Sequence, residues 1–328
     1  MRRRLFLAGL SSAALSPLTT QAQQGERVRR IAALFPRPVD DVEAKGRLDV
    51  FQKSLMQLGW NEGHNVKIDV RWSGANLGDV RKDIADLVSA APDVILATGS
   101  PTLGPLLQAT RTVPIVFASV ADPVGSGFVA SLARPGGNAT GFSLFDYSLA
   151  AKWPELLKQI APSVMRAAVI RDAATPPGIG AFAVIQYVAP SVGIELTPVD
   201  ARDTGEIERA VTAFSREPNG GLIVTASAVT ATHRELIIRL AARQKLPSIY
   251  WQRVYAASGG LVSYGPDLLE QYRRAAGYID RILRGEDPAS LPVQAPTKYE
   301  LVINLQTAKA EGITIHPSLL ARADEVIE

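Results

Sequence analysis

The sequence contains no cysteine, which excludes thiol nucleophiles, disulfides and every cysteine-based zinc or iron–sulfur site. Its three histidines, His64, His233 and His316, are far apart and form no HExxH pair or other metal-ligand spacing. Aromatic residues make up only 6% of the chain. No apolar run reaches the ~20 residues that a membrane-spanning helix needs. There is no Walker phosphate loop and no GxSxG elbow, and Gly125-Ser126-Gly127 opens like a dinucleotide fingerprint but lacks the third glycine. Neighbouring acids such as Asp40 and Asp41 point apart, so no general acid–base pair can be nominated. Neither catalysis nor a cofactor is expected.

What is present is a chain of 328 residues, 47% hydrophobic, with 35 basic and 32 acidic residues. That length exceeds one compact core and predicts two domains. Residues 1–22 read as a cleaved export signal. Arg2, Arg3 and Arg4 precede a short apolar run over 5–15, and Thr20-Gln21-Ala22 offers small residues at a cleavage site. Arg3-Arg4-Leu5-Phe6-Leu7 resembles the twin-arginine type of signal, with an ordinary Sec signal as the alternative. Residues 1–22 hold three arginines and no acid, so the remainder balances 32 basic against 32 acidic residues. The basic character therefore belongs to the signal, and a nucleic-acid partner loses its electrostatic support.

From Arg29 onward, short apolar runs alternate with helical patterns. Strands are predicted over 31–35, 66–70, 93–97 and 115–119. Helices are predicted between them and over 124–132. The order then repeats, with strands over 167–170, 194–199, 222–225 and 248–251 separated by helices over 179–188, 206–214 and 234–243. Two successive βαβαβ units predict an α/β fold of two Rossmann-like lobes, each a parallel sheet covered by helices and joined by a multi-strand hinge. The Gly-rich stretch 134–147 reads as a crossing between lobes rather than a core element, and 288–296, with three prolines, as another. The expected division gives the first lobe residues 27–142 plus about 260–288. The second takes 143–259 plus about 289–328.

In such sheets a ligand sits beyond the carboxyl ends of the strands, against helix N-termini. The candidate ligand contacts lie there. Phe35 precedes Pro36 and Arg37. Thr98, Ser100, Pro101 and Thr102 follow the third strand, with Ser100 as helix cap and Pro101 as first helical residue. Ser119 and Asp122 follow the fourth, Asp172 ends the first strand of the second lobe, and Ser227 and Tyr250 follow later ones. The hydroxyls and helix start at 98–102 suit a carboxylate. Asp172, with Asp122 second, is the candidate partner for a ligand ammonium. Simple helix capping is the competing explanation for each. Phe142, Tyr147, Trp251 and Tyr264 are further aromatic candidates for stacking, whereas Trp60, Trp72 and Trp153 read as structural.

Five stretches carry a family likeness: 115–125 (IVFASVADPVG), 131–141 (SLARPGGNATG), 259–267 (GGLVSYGPD), 296–305 (PTKYELVINL) and 315–328 (IHPSLLARADEVIE). Together they resemble the substrate-binding proteins of ABC transporters, the family that includes tryptophan/tyrosine-type periplasmic binding proteins. The resemblance implies a type I periplasmic-binding fold and a periplasmic, monomeric protein without enzymatic activity. It also implies capture of a small solute between the lobes and delivery to an ABC permease with its ATPase. Contacts implied at 98–102 and 119–122 rest on matching local sequence; 173–178 (AATPPG) departs from the pattern, and the ligand need not be an aromatic amino acid. A sensory protein acting on a receptor, or a secreted enzyme on the same scaffold, are the alternative functions.

Overall fold

The computed structural model describes residues 27–328 apart from Ala75 and Ala201, and the expected export signal lies outside the described residues. The chain begins with β1 (Arg29–Phe35), α1 (Val42–Gln57), β2 (Val66–Trp72), α2 (Leu77–Ser89), β3 (Val94–Thr98) and α3 (Ser100–Ala109). β4 (Ile115–Val120) and β5 (Ala139–Ser143) complete a five-stranded sheet of order β2-β1-β3-β4-β5, parallel throughout. Such a sheet is covered on both faces, which is why its strands read as almost unbroken apolar runs. In β1, Ile31, Ala33 and Phe35 enter a core with Phe51 and Leu55 of α1, while Ala32 and Leu34 enter a second core with Ile84, Leu87 and Leu103.

The second half contains α4 (Lys152–Ile160), β6 (Arg166–Arg171), α5 (Pro176–Val188), β7 (Glu195–Asp200), α6 (Thr204–Phe214) and β8 (Gly220–Val224). It continues with α7 (Ala228–Thr232), α8 (Arg234–Gln244), β9 (Ser248–Tyr250), α9 (Arg253–Ala257), β10 (Val262–Pro266) and α10 (Leu268–Leu283). β11 (Tyr299–Asn304), α11 (Leu305–Glu311), α12 (Pro317–Leu320) and β12 (Glu325–Ile327) end the chain. The second sheet has seven strands in the order β12-β11-β10-β9-β8-β6-β7, with one antiparallel pair, β10 against β11.

Residues 260–288, read from the sequence as part of the first lobe, divide between the sheets. β10 pairs with β9, whereas α10 packs Tyr272, Ala275, Ile279 and Leu283 into the core of the first sheet. Residues 289–328 divide as well: Leu291 and Val293 join the first lobe's cores, and β11 to β12 belong to the second sheet.

Two further expectations are corrected. The helix expected over 124–132 does not form. The Asp122 carboxylate accepts from Gly125 N at 2.8 Å and Gly127 takes φ +70°, so the segment turns back on itself. The stretch 134–147, read as a crossing alone, contains the buried strand β5. Gly141 there lies so close to β4 that a Cβ would stand 2.0 Å from the Phe117 carbonyl oxygen.

Candidate functional site

The carboxyl ends of the first sheet are built by α3, α10 and the strand-end loops. Phe35 is fully buried, its ring 4.9 Å from that of Trp72 and 6.1 Å from that of Tyr272 on α10. The Tyr272 hydroxyl hydrogen-bonds Thr98 Oγ1 at 3.2 Å. The structure gives the cap of α3 to Gly99 rather than Ser100: φ is +76° there, a conformation that costs glycine nothing. Ser100 thus lies in the first helical turn, half-buried, and its hydroxyl makes no hydrogen bond among the described residues. Pro101 beside it is exposed. Thr102 is fully buried and its hydroxyl donates back to the Thr98 and Gly99 carbonyls, both at 3.0 Å. That proton clasps the loop to the helix and is not offered to the cleft.

Ser119 takes φ +59° and Asp122 φ +42°, which turn the chain sharply out of β4. Gln271 holds this turn. Its Oε1 accepts from Ser119 N at 3.0 Å and its Nε2 donates to the Leu144 carbonyl at 3.2 Å, tying the end of β4 to the segment that leaves β5.

On the second lobe, Asp172 accepts from Ala174 N at 3.0 Å in a local turn, and Gly178 approaches so closely that a Cβ would stand 1.9 Å from the Asp172 carbonyl oxygen. Ser227 caps α7 in a capping box with Thr230. Tyr250 is fully buried and stacks on Tyr255 at 4.9 Å, with burial pushing its phenol pKa up. It belongs to the core of the second sheet, as does Trp251, while Phe142 lies in the first sheet's core with Phe35 and Phe51. Trp60, Trp72 and Trp153 are structural: Trp60 Nε1 donates to Asp280 at 2.9 Å and Trp153 Nε1 to the Tyr264 carbonyl at 2.9 Å.

Two sets of side-chain contacts connect the lobes. The Tyr147 hydroxyl donates to Asp122 Oδ2 at 2.8 Å and contacts the Pro176 carbonyl at 3.3 Å. This brings the 119–122 turn of one lobe against the start of α5 in the other. Glu43, in the first turn of α1, receives Arg234 Nη1 and Gln252 Nε2 from the second lobe, each at 3.3 Å. Arg37 follows β1 and has no carboxylate partner among the described residues. Burial pushes the Tyr255 phenol up to about 12, while hydrogen bonds from Trp251 and Thr230 and the positive charges of Arg234 and Arg37 pull the other way. Both arginines follow strands or begin helices, which is the only signal the sequence holds for them.

Among the described residues no group of three or more histidine, aspartate or glutamate side chains is arranged to hold a metal ion, and no helix is long and apolar enough to cross a membrane. Polar loops follow the carboxyl ends of strands in both sheets.

Known proteins share this architecture. A domain from Streptococcus pneumoniae, solved in complex with L-Trp, superposes with a TM-score of 0.83 at 25% identity, covering 91% of this chain and 99% of that one. A conserved domain protein from Vibrio cholerae gives 0.83 at 28% identity, covering 92% and 100%. A tyrosine-binding protein of Clostridioides difficile is 26% identical over 280 residues, 85% of this chain and 79% of that one. The sequence model of one family, the ABC transporter substrate binding proteins, matches residues 39–327, every strand of the two sheets except β1, and the chain belongs to that family.

Proposed function

We propose that this protein is the solute-binding component of an ABC importer, working in the periplasm as a monomer without catalytic activity. It captures a small carboxylate-bearing solute, an amino acid or an aromatic or aliphatic acid, and delivers it to a membrane permease and its ATPase. The observation that carries the solute class is Arg37, which follows β1 at the carboxyl edge of the first sheet and has no carboxylate partner among the described residues. A carboxylate bound there meets this guanidinium on the first lobe, and contacts added by the second lobe couple recognition to closure. Thr98, Ser100 and Ser119 supply hydroxyl and backbone donors on the first lobe. Asp172 and Ser227 complete the site on the second, with Asp122 held at its edge by Tyr147. The tryptophan-bound and tyrosine-binding relatives support an amino acid as the solute.

A thermal-shift screen of the purified protein against amino acids, aromatic acids and short aliphatic carboxylates tests this. A solute that binds only the native state raises the melting temperature by mass action. One saturating hit, recovered chemically unchanged and weakened about tenfold or more by Arg37→Gln, is expected, because a hydrogen bond to a charged group is worth roughly 1.5–3 kcal/mol. A hit recovered chemically altered, or a silent screen, overturns the proposal.

A further inference from the structure

Glu43 is the one carboxylate among the described residues that receives a guanidinium and an amide from the opposite lobe. Its Oε1 lies 3.3 Å from Arg234 Nη1, its Oε2 3.3 Å from Gln252 Nε2, and Arg47, one turn along α1, donates to Oε2 at 3.2 Å. Arg47 and Gln252 are both buried, whereas Glu43 and Arg234 are each about one-third exposed, which places the group at a rim of the interface between lobes.

Local preferences explain half of this arrangement. An acid in the first turn of α1 complements the helix dipole, and the Glu43–Arg47 pair has the i,i+4 spacing that stabilises a helix on its own. Arg234 has no such reason to be where it is. It is the first residue of α8, where a positive charge opposes the dipole, and no side chain caps that helix. The only carboxylate it meets among the described residues is on the other lobe, 191 positions away. Arg234 is therefore paired with a carboxylate only while the lobes are together.

We propose that Glu43, Arg234 and Gln252 form a closure clasp, a set of positioning residues that stabilises the closed arrangement of the lobes independently of any solute. Arg47 holds the Glu43 carboxylate at the first lobe in both states. Arg234 and Gln252 arrive with the second lobe and leave with it. The clasp sets how long the cleft stays shut, so it governs retention of whatever the cleft holds, without touching it. Its action on a solute rests on the reading of the cleft given above; its action on the lobes does not.

The absence of natural cysteine makes the test direct. Met56 near the end of α1 and Arg243 near the end of α8 are exposed and lie at the ends of their helices away from the clasp, so spin labels on M56C/R243C report lobe opening as a change in distance. In the solute-free protein a closed population is expected, and its ratio to the open one should fall about threefold to tenfold in Glu43→Ala and in Arg234→Met, the range of one partly exposed charged contact. A label pair that shows no closed population in the parent protein overturns the proposal. So does a closed-to-open ratio unchanged in both variants while their melting curves match the parent. Should Glu43→Ala fail to fold, Arg234→Met and Gln252→Ala carry the test from the other lobe. Because no solute is added, failure of the binding screen leaves this result intact, and failure here leaves the screen intact.

Discussion

Glu311 closes α11 with one carboxylate oxygen, Oε2, enclosed and without a hydrogen-bond partner among the described residues. Burial pushes its pKa from the usual 4.5 up to about 7. The folded protein therefore binds a proton at this position that the unfolded chain has already released, over the window from about pH 4.5 to about pH 7. Stability falls as pH rises through that window, because the native state must surrender the proton to expose a charge in a poorly solvated place. Glu311→Gln is expected to flatten this part of the profile and to melt above the parent at pH 8 while matching it near pH 4.5. Melting temperatures taken from pH 4.5 to 8 decide it, and a variant whose profile stays parallel to the parent's sinks the assignment. Individual residues at the strand ends and between the lobes are unequally legible. Thr98, Ser119 and Asp122 announce themselves because a polar residue at the end of an apolar strand has few reasons to be there. Gln271, Glu43 and Arg234 were invisible because their partners lie 127 to 209 positions away. Nothing in their neighbourhoods separates a lobe-bridging side chain from a solvated one.

Among elements, the parallel strands are the most legible, since burial on both faces writes an apolar run of five or six residues into the sequence. β5 was lost because Ala139-Thr140-Gly141-Phe142-Ser143 contains a glycine and two hydroxyls and looks like a loop. Its pairing explains that composition. Gly141 takes φ +152° and leaves 2.0 Å between an added Cβ and the Phe117 carbonyl oxygen, and the Thr140 hydroxyl donates to the Leu291 carbonyl at 2.6 Å. The element that looks like a linker is thus a strand fitted to two neighbours at once, β4 on one side and the returning segment at Gln294 on the other. Gly141→Ala must push β5 off β4, and overpacking of this kind costs about 1–3 kcal/mol. A lowered urea midpoint with an unchanged slope is the expected result. An unchanged midpoint means that the β4–β5 approach is looser than described. The helix expected over 124–132 failed for the opposite reason: its apolar spacing was sound, but Gly127 and the Asp122 cap favour a turn more strongly than that spacing favours a helix.

For the whole molecule, the decisive feature is that the two lobes are tied at separate places. The Glu43 clasp joins α1 to α8 and the β9–α9 loop, and the Tyr147–Asp122 bond joins the β4 turn to the segment that has just left β5. The second bond is charge-assisted and half-buried, and burial followed by the Asp122 contact raises the Tyr147 pKa. If closure is one rigid-body rotation, both ties break in the same step and each contributes its own free energy to a single equilibrium. The effects of removing them must then multiply. Tyr147→Phe alone and Glu43→Ala alone are each expected to lower the closed-to-open ratio about threefold to tenfold, the range for a charged hydrogen bond that keeps some access to water. The double variant should lower it by the product of the two, read on the same pair of spin labels. A double variant no more open than the more open single one means that the ties release independently, by local movement of α1 or of the 146–148 turn. The hinge then does not act as a unit. The labels are read in the solute-free protein, so the product rule tests the mechanics of the fold apart from its chemistry.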